Sequence, residues 1–161
     1  MKNLIAALQK QKNLLEELRD VLKKETGELS EVHLDAMAET NARKEEIADV
    51  VKSHATVLRS AIQEVATLEG LSPKATLGEL ATSLKKKGNR EIAQFHDDLN
   101  VLADQTRELL TLNREIAERF ALSLGDTLNF IARIINQTST YGASGSYLHR
   151  PAGAVMINRE A

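Results

Sequence analysis

The stretch from Arg90 to Gln137, REIAQFHDDLNVLADQTRELLTLNREIAERFALSLGDTLNFIARIINQ, decides the fold. It contains no proline and a single glycine, Gly125, so nothing in it forces a helix to end. At about 1.5 Å per residue, one helix of this length extends roughly 70 Å. One face of this predicted helix follows the three-and-four spacing of an amphipathic helix. That stripe consists of Ile92, Phe95, Leu99, Leu102, Thr106, Leu109, Asn113, Ile116, Phe120, Leu124, Thr127, Ile131 and Ile134.

A second apolar line widens the C-terminal part of the same helix. One partner helix cannot cover a surface this wide, and the helices that precede it in the sequence are shorter. We therefore expect part of the last helix to overhang and Phe120 to Ile135 to be exposed in a monomer. An apolar patch of that size usually marks an interaction site. The second line consists of Leu110, Leu112, Ala117, Ala121, Leu128 and Ile135.

The first predicted helix carries a leucine stripe that is interrupted twice by polar residues. Gln11 and Glu25 occupy stripe positions, which favours a helix packed in a mixed bundle over a long coiled coil. We predict a turn or kink over Gly27-Glu28-Leu29-Ser30, because glycine weakens a helix, with Ser30 as a candidate N-cap of the next helix. The stripe residues are Leu4, Leu8, Leu15, Leu18, Leu22 and Leu29.

The second predicted helix extends from about Leu34 to Leu68 and also carries polar residues, Lys44 and His54, on its stripe. Gly70 and Pro73 supply a C-terminal stop and a helix breaker.

A short third helix is indicated by the capping-box pattern of Thr76 and Glu79, in which each side chain reaches the other residue's backbone N–H. Gly88 ends this helix and Asn89 is a suitable cap for the next. These patterns predict an all-α fold, an elongated antiparallel bundle of three long helices and one short helix. We predict a bundle domain over residues 1–137 and an irregular C-terminal tail over residues 138–161.

The composition favours a helical bundle that works in the cytoplasm. Apolar residues form 42 % of the chain but aromatic residues only 3 %, so the core is filled by aliphatic side chains. The absence of cysteine excludes disulfides and thiolate metal sites. A net charge of −2 gives no reason to expect nucleic acid as a partner, and no stretch approaches the ~20 apolar residues of a membrane span.

The residue patterns of common active sites are missing from the sequence. A di-iron bundle needs Glu-x-x-His pairs, and none of the four histidines has a glutamate three residues before it. No Gly-x-Ser-x-Gly elbow and no phosphate-binding loop with its lysine occur. His54 is expected to be a partly buried, hydrogen-bonded residue rather than a metal ligand, and His96-Asp97-Asp98 a solvated face. We therefore predict no enzymatic activity, no cofactor and no metal.

Several segments, in order along the chain, resemble one protein family. They are Leu14-Leu15-Glu16-Glu17-Leu18 in the first helix, Lys44 followed by apolar residues in the second, Leu112-Asn113-Arg114-Glu115 in the last, and the tail Thr140-Tyr141-Gly142-Ala143-Ser144-Gly145. Together they are similar to the FlgN family of flagellar export chaperones.

The resemblance implies a cytoplasmic chaperone of type III flagellar export. Such a protein holds the C-terminal helical segments of hook-associated junction proteins, FlgK and FlgL, until secretion, and then docks on the cytosolic domain of the export gate, of the FlhA type. In the family that contact involves a tyrosine just after the last helix, and Tyr141 matches this position. The alternative for Tyr141 is an aromatic residue that packs back on its own bundle.

The candidate client-binding residues lie on the last helix, where "client" denotes the exported protein. Asn113 is the polar member of the set, and it either fixes the register of a packed helix pair or lies solvated at the edge of the stripe. A self-associating bundle, which is a homodimer when empty, and an adaptor bundle without an export role are the alternative functions. The candidate set is Leu109, Leu112, Asn113, Ile116, Phe120, Leu124, Leu128, Ile131, Ile134 and Ile135.

Overall fold

The computed structural model describes residues 1–138, and this part of the chain consists of four helices and no strand. The helices are α1 (Lys2–Glu31), α2 (Leu34–Leu68), α3 (Leu77–Lys86) and α4 (Glu91–Thr138). The predicted all-α fold with three long helices and one short helix is confirmed. The chain divides into two compact units, Met1–Ala117 (unit 1) and Glu118–Ala161 (unit 2).

The predicted turn at Gly27 to Ser30 is wrong, because α1 continues through these residues to Glu31. Gly27 is exposed, and a glycine in a helix interior is less favourable than alanine by only about 1 kcal/mol. The burial of Leu22 and Leu29 on either side of it outweighs that cost. Ser30 is not an N-cap, since its hydroxyl donates a hydrogen bond back to Thr26 O at 2.8 Å.

Helix α1 ends instead at Val32, whose backbone is left-handed with φ 58°. The N–H of His33 donates to Glu28 O at 3.0 Å, which satisfies one of the last carbonyls of the helix. A β-branched residue rarely adopts this conformation, which is usually taken by glycine. Because valine occupies the position here, the sequence carries no glycine to mark the end of α1. Only Val32 and His33 separate α1 from α2.

The predicted ends of α2 and α3 are confirmed, and both have the same geometry. Gly70 and Gly88 follow the two helices with φ of 75° and 91°. After α2, the N–H of Leu71 donates to Ala66 O at 2.8 Å, and after α3 the N–H of Asn89 donates to Leu84 O at 3.0 Å. These are Schellman motifs, which need a residue with positive φ and therefore favour glycine.

The capping box of α3 is present as predicted. Thr76 accepts a hydrogen bond from the backbone N–H of Glu79 at 3.2 Å, and Glu79 accepts one from the backbone N–H of Thr76 at 2.7 Å. The bond from the Thr76 N–H lowers the pKa of the Glu79 carboxylate, and the Thr76 hydroxyl, 3.1 Å from the same oxygen, adds to this effect, because both donors favour the charged form.

The core of unit 1 lies where α1, the C-terminal half of α2, α3 and the start of α4 meet. It is built from aliphatic side chains of all four helices, as the composition predicts. A smaller cluster of Leu18, Leu22 and Ile47 lies further along α1, and Leu109 of α4 packs against it. The main cluster consists of Leu4, Ala7, Leu8, Ala61, Val65, Leu80, Ala81, Leu84, Ile92 and Leu99.

Side-chain pairs define the direction of each long helix in unit 1. Helix α2 is antiparallel to α1, because Gln11 pairs with His54 while Glu28, further along α1, pairs with Thr40, nearer the start of α2. Helix α4 is parallel to α1, because its partners on α1 lie 86 to 91 residues earlier all along the contact.

Candidate functional site

The first part of α4 buries its apolar stripe. Ile92, Leu99 and Leu102 are 0 %, 9 % and 5 % exposed. Thr106, a polar residue on the same stripe, is also buried and donates its hydroxyl hydrogen to Leu102 O at 2.7 Å, back onto its own helix. This part of α4 is therefore a structural element of the bundle.

Asn113 is buried against α1 and fully hydrogen-bonded there. Its amide nitrogen donates to Leu22 O at 2.9 Å and to Glu25 Oε2 at 2.8 Å. Its amide oxygen accepts a hydrogen bond from Thr26 Oγ1 at 2.6 Å. The structure therefore places Asn113 within the helix contact, the first of the two arrangements open from the sequence, and not at a solvated edge. A residue that uses both amide hydrogens on α1 has none left for a partner.

The polar interruptions of the α1 and α2 stripes pair with one another. Gln11 Oε1 lies 2.8 Å from His54 Nδ1, and the ammonium group of Lys44 forms an ion pair with Glu25. Because buried polar groups need partners, these pairs fix how α1 and α2 align. The predicted hydrogen bond of His54 is confirmed, and its burial is more complete than predicted, since the residue is only 5 % exposed.

Burial lowers the pKa of His54 below its usual value of 6.5, and the positive charge of Lys10 adds to this effect. Both effects favour the neutral imidazole. His54 therefore acts as a neutral hydrogen-bonding residue of the core at neutral pH.

Large apolar side chains of α4 become exposed before unit 1 ends. Leu110 and Leu112 are exposed, while Leu109 and Ile116 are half-buried. All four belong to unit 1. Leu109 and Ile116 are stripe residues, and Leu109 packs against Leu18, Leu22 and Ile47, whereas Leu110 and Leu112 lie off the stripe.

In unit 2, the described part of α4 carries a dense set of exposed apolar residues. Residues 118–135 include four charged residues, whereas seven large apolar side chains in the same range are exposed. Phe120 is half-buried, and Thr127 donates its hydroxyl hydrogen to Ser123 O at 2.9 Å. The exposed residues are Leu122, Leu124, Leu128, Phe130, Ile131, Ile134 and Ile135.

Two members of this exposed set were missed by the stripe analysis of the sequence. Leu122 and Phe130 fall on neither predicted apolar line, yet they are 71 % and 63 % exposed. Phe130 directly precedes the stripe residue Ile131, and Leu122 lies two residues before Leu124. Large apolar residues between the stripe positions also indicate a wide apolar surface, but an analysis of helix periodicity alone does not count them.

Comparison with known families identifies the protein to which this surface belongs. A family model described as FlgN protein matches residues 1–149. The chain belongs to the FlgN family. Comparison with curated proteins and with solved structures gave no match.

Family membership makes this FlgN chain a flagellar export chaperone, and FlgN is a family of chaperones rather than of enzymes. Within residues 1–138, no group of three or more acidic, histidine or cysteine residues is placed to hold a metal ion. No helix in this part of the chain is long and apolar enough to cross a membrane. The described feature of this FlgN chain that suits partner binding is the exposed apolar surface of α4.

Tyr141 and the Thr-Tyr-Gly motif of the tail lie outside the described residues. The division into a bundle domain over residues 1–137 and a tail over 138–161 stays a prediction.

Proposed function

We propose that this chain is a cytoplasmic chaperone that binds the C-terminal helical segments of hook-associated proteins, of the FlgK and FlgL type, through the exposed apolar face of α4. The observation that carries the proposal is the set of seven exposed large apolar residues between Leu122 and Ile135. A second amphipathic helix is the simplest partner for such a face, because it buries its own stripe by docking there.

The expected affinity is modest. Each buried anchor such as Leu112, Phe120, Leu124 or Ile131 contributes about 1.5–3 kcal/mol. Association opposes this with about 4–15 kcal/mol of lost freedom, before side chains are ordered. The small net free energy suits a chaperone that must release its client at the export gate.

Isothermal titration with the C-terminal helical segment of a hook-associated protein tests the proposal. Leu124→Asp and Leu128→Asp each place a charge in the proposed interface and should abolish the binding heat. Both residues are exposed, so their unfolding midpoints should stay near that of the unmodified chain. Thr111→Asp, an exposed position of α4 outside the proposed set, is the control and should bind normally. No binding heat with the folded, unmodified chain would contradict the proposal.

Self-association is the second candidate function, because the same exposed face could pair with its copy in another molecule. Sedimentation equilibrium separates the two. A stable dimer that Phe120→Asp dissolves, with no client affinity in either state, would favour the self-associating bundle.

For delivery to the export gate, we propose that Tyr141 contacts the cytosolic domain of a gate of the FlhA type. This proposal rests on the family resemblance alone. Tyr141→Ala should keep client affinity and weaken recruitment of the loaded chaperone to that domain in a pull-down. Equal loss of both activities, or of neither, would contradict this role.

A further inference from the structure

A groove lies between α1 and α4 within unit 1, beside the apolar residues already described. Its volume is about 420 Å³. One wall is formed by Arg19 and Lys23 of α1, and the other by Gln105, Glu108, Leu109 and Leu112 of α4.

The two edges of the groove carry opposite charges. On the α1 edge, Lys23 is exposed, and the Arg19 guanidinium lies 2.9 Å from the carboxylate of Asp20. On the α4 edge, Glu108 is exposed. On the same α4 side, half-buried Leu109 and exposed Leu112 supply apolar surface beside Glu108. The groove therefore combines this apolar surface with an exposed cation, Lys23, on its α1 side and a carboxylate, Glu108, on its α4 side.

The groove is short. Arg19 and Lys23 are one helical turn apart, and Gln105 to Leu112 spans about two turns, or roughly 11 Å. A docked helix presents residues four apart on one face over this distance. The apolar surface of Leu109 and Leu112 thus accepts one pair of apolar side chains, with one charged residue of the docked helix facing each side of the groove.

We infer that this groove receives one end of the client helix and selects its direction. The inference rests on the proposed function and adds the chemistry of the client to it. The client helix carries an apolar i, i+4 pair, with an acidic residue on the flank that faces Lys23 and a basic residue on the flank that faces Glu108. Leu109 and Leu112 join the groove to the proposed client-binding set.

Direction follows from geometry. An amphipathic helix laid on a surface has two different flanks, and turning it end for end exchanges them. In one direction its flanking charges face opposite charges on the groove edges, and in the other they face like charges, which repel. An apolar face alone attracts a helix in either direction, so the charged edges supply the discrimination.

Titration of the client segment into edge variants tests this inference. Lys23→Glu and Glu108→Lys each reverse one edge, and each should weaken binding about three- to tenfold at low salt, since an exposed pair is lost and a repulsive one is made. The weakening should shrink in about 0.5 M salt, because exposed charges are screened. Lys52→Glu reverses an exposed charge on α2 and serves as the matched control, with affinity close to that of the unmodified chain.

A second segment identifies the charge that faces Lys23. When the acidic residues of the client segment are replaced by glutamine, Lys23→Glu should no longer weaken binding. If Lys23→Glu and Glu108→Lys bind the original segment as Lys52→Glu does, the groove inference is overturned while the proposed function stands. An unchanged penalty with the glutamine segment also overturns it. Absence of binding by the unmodified chain removes the proposed function and the groove inference together.

Discussion

The two parts of α4 have the same spacing of apolar residues but different surroundings. Leu102 in unit 1 is 5 % exposed, whereas Leu124 in unit 2 is 48 % exposed. The periodic pattern thus shows that a face is suited to burial, and the presence of a neighbouring helix decides whether it is buried. In unit 1 that neighbour is the α1–α2 pair, and for residues 118–135 we propose that it is the client.

The largest expected effect is the difference in the free energy of unfolding lost when one leucine is replaced in each of these two parts. Leu102→Ala removes a buried side chain and should lower the free energy of unfolding by about 2–4 kcal/mol. Leu124→Ala, the matched exposed position, should change it by no more than about 0.5 kcal/mol. Urea unfolding followed by far-UV circular dichroism measures both. Similar losses in the two variants would show that Leu124 is also buried by its own chain.

The second effect concerns an asparagine in each part. Asn113→Ala removes one donor from Leu22 O and one from Glu25 Oε2, and removes an acceptor of the Thr26 hydroxyl, while Glu25 keeps its ion pair with Lys44 and Thr26 still donates to Leu22 O. The loss should cost about 1–3 kcal/mol of stability in the same assay. Asn129 is exposed, and Asn129→Ala should be neutral or slightly stabilising, because alanine is the better helix former. If Asn113→Ala is as mild as Asn129→Ala, the hydrogen bonds to α1 are not important for stability.

A smaller effect is expected when either of two glycines inside helices is replaced by alanine. An added Cβ at Gly27 or at Gly125 meets no atom within 4 Å. Gly27→Ala should therefore raise the free energy of unfolding by about 0.5–1 kcal/mol, since α1 is part of the cooperative bundle. Gly125→Ala should increase protection of nearby amides from hydrogen exchange and leave the bundle's urea midpoint in place. A shift of that midpoint by Gly125→Ala as large as that from Gly27→Ala would show that residues 118–138 unfold together with the bundle.

The smallest effect is expected from pH, because it involves a single proton on His54. Folding lowers the pKa of His54 below 6.5, so the unfolded chain binds this proton more readily. The stabilisation is complete above about pH 6.5 and is lost as the pH falls to the folded-state pKa. Urea midpoints across this range should decrease in the unmodified chain and less so in His54→Gln, which does not titrate. Residues 118–138 contain no histidine, so their helix content should not follow this change.

Much of the fold was predictable from local patterns. The bounds of α2, the capping box of α3 and the stops at Gly70 and Gly88 each depend on residues close in the sequence. The turn after α1 was not predictable in this way. Glycine is typical of turns, but Gly27 lies inside the helix, and the left-handed backbone of the turn is found at Val32 instead.

Pairings between helices were only partly visible in the sequence. Gln11, Glu25, Lys44 and His54 stand out as polar residues on apolar stripes, but the stripes alone do not say which residue pairs with which. The exposed face was predictable from its width, whereas the groove was not, since Lys23 and Glu108 lie far apart in the sequence and meet only because α1 and α4 are parallel.

The parallel pairing of α1 and α4 also has a consequence for the order of folding. Helices α1 and α2 are joined by two residues and can pair as soon as both have been synthesised. Contacts between α1 and α4 span 86 to 91 residues and must wait until residues 98 to 113 have been made. Until Leu109 emerges from the ribosome, one side of the Leu18–Leu22 cluster stays uncovered. The apolar residues from Leu122 to Ile135 are made after that, when all residues of unit 1 have already been synthesised.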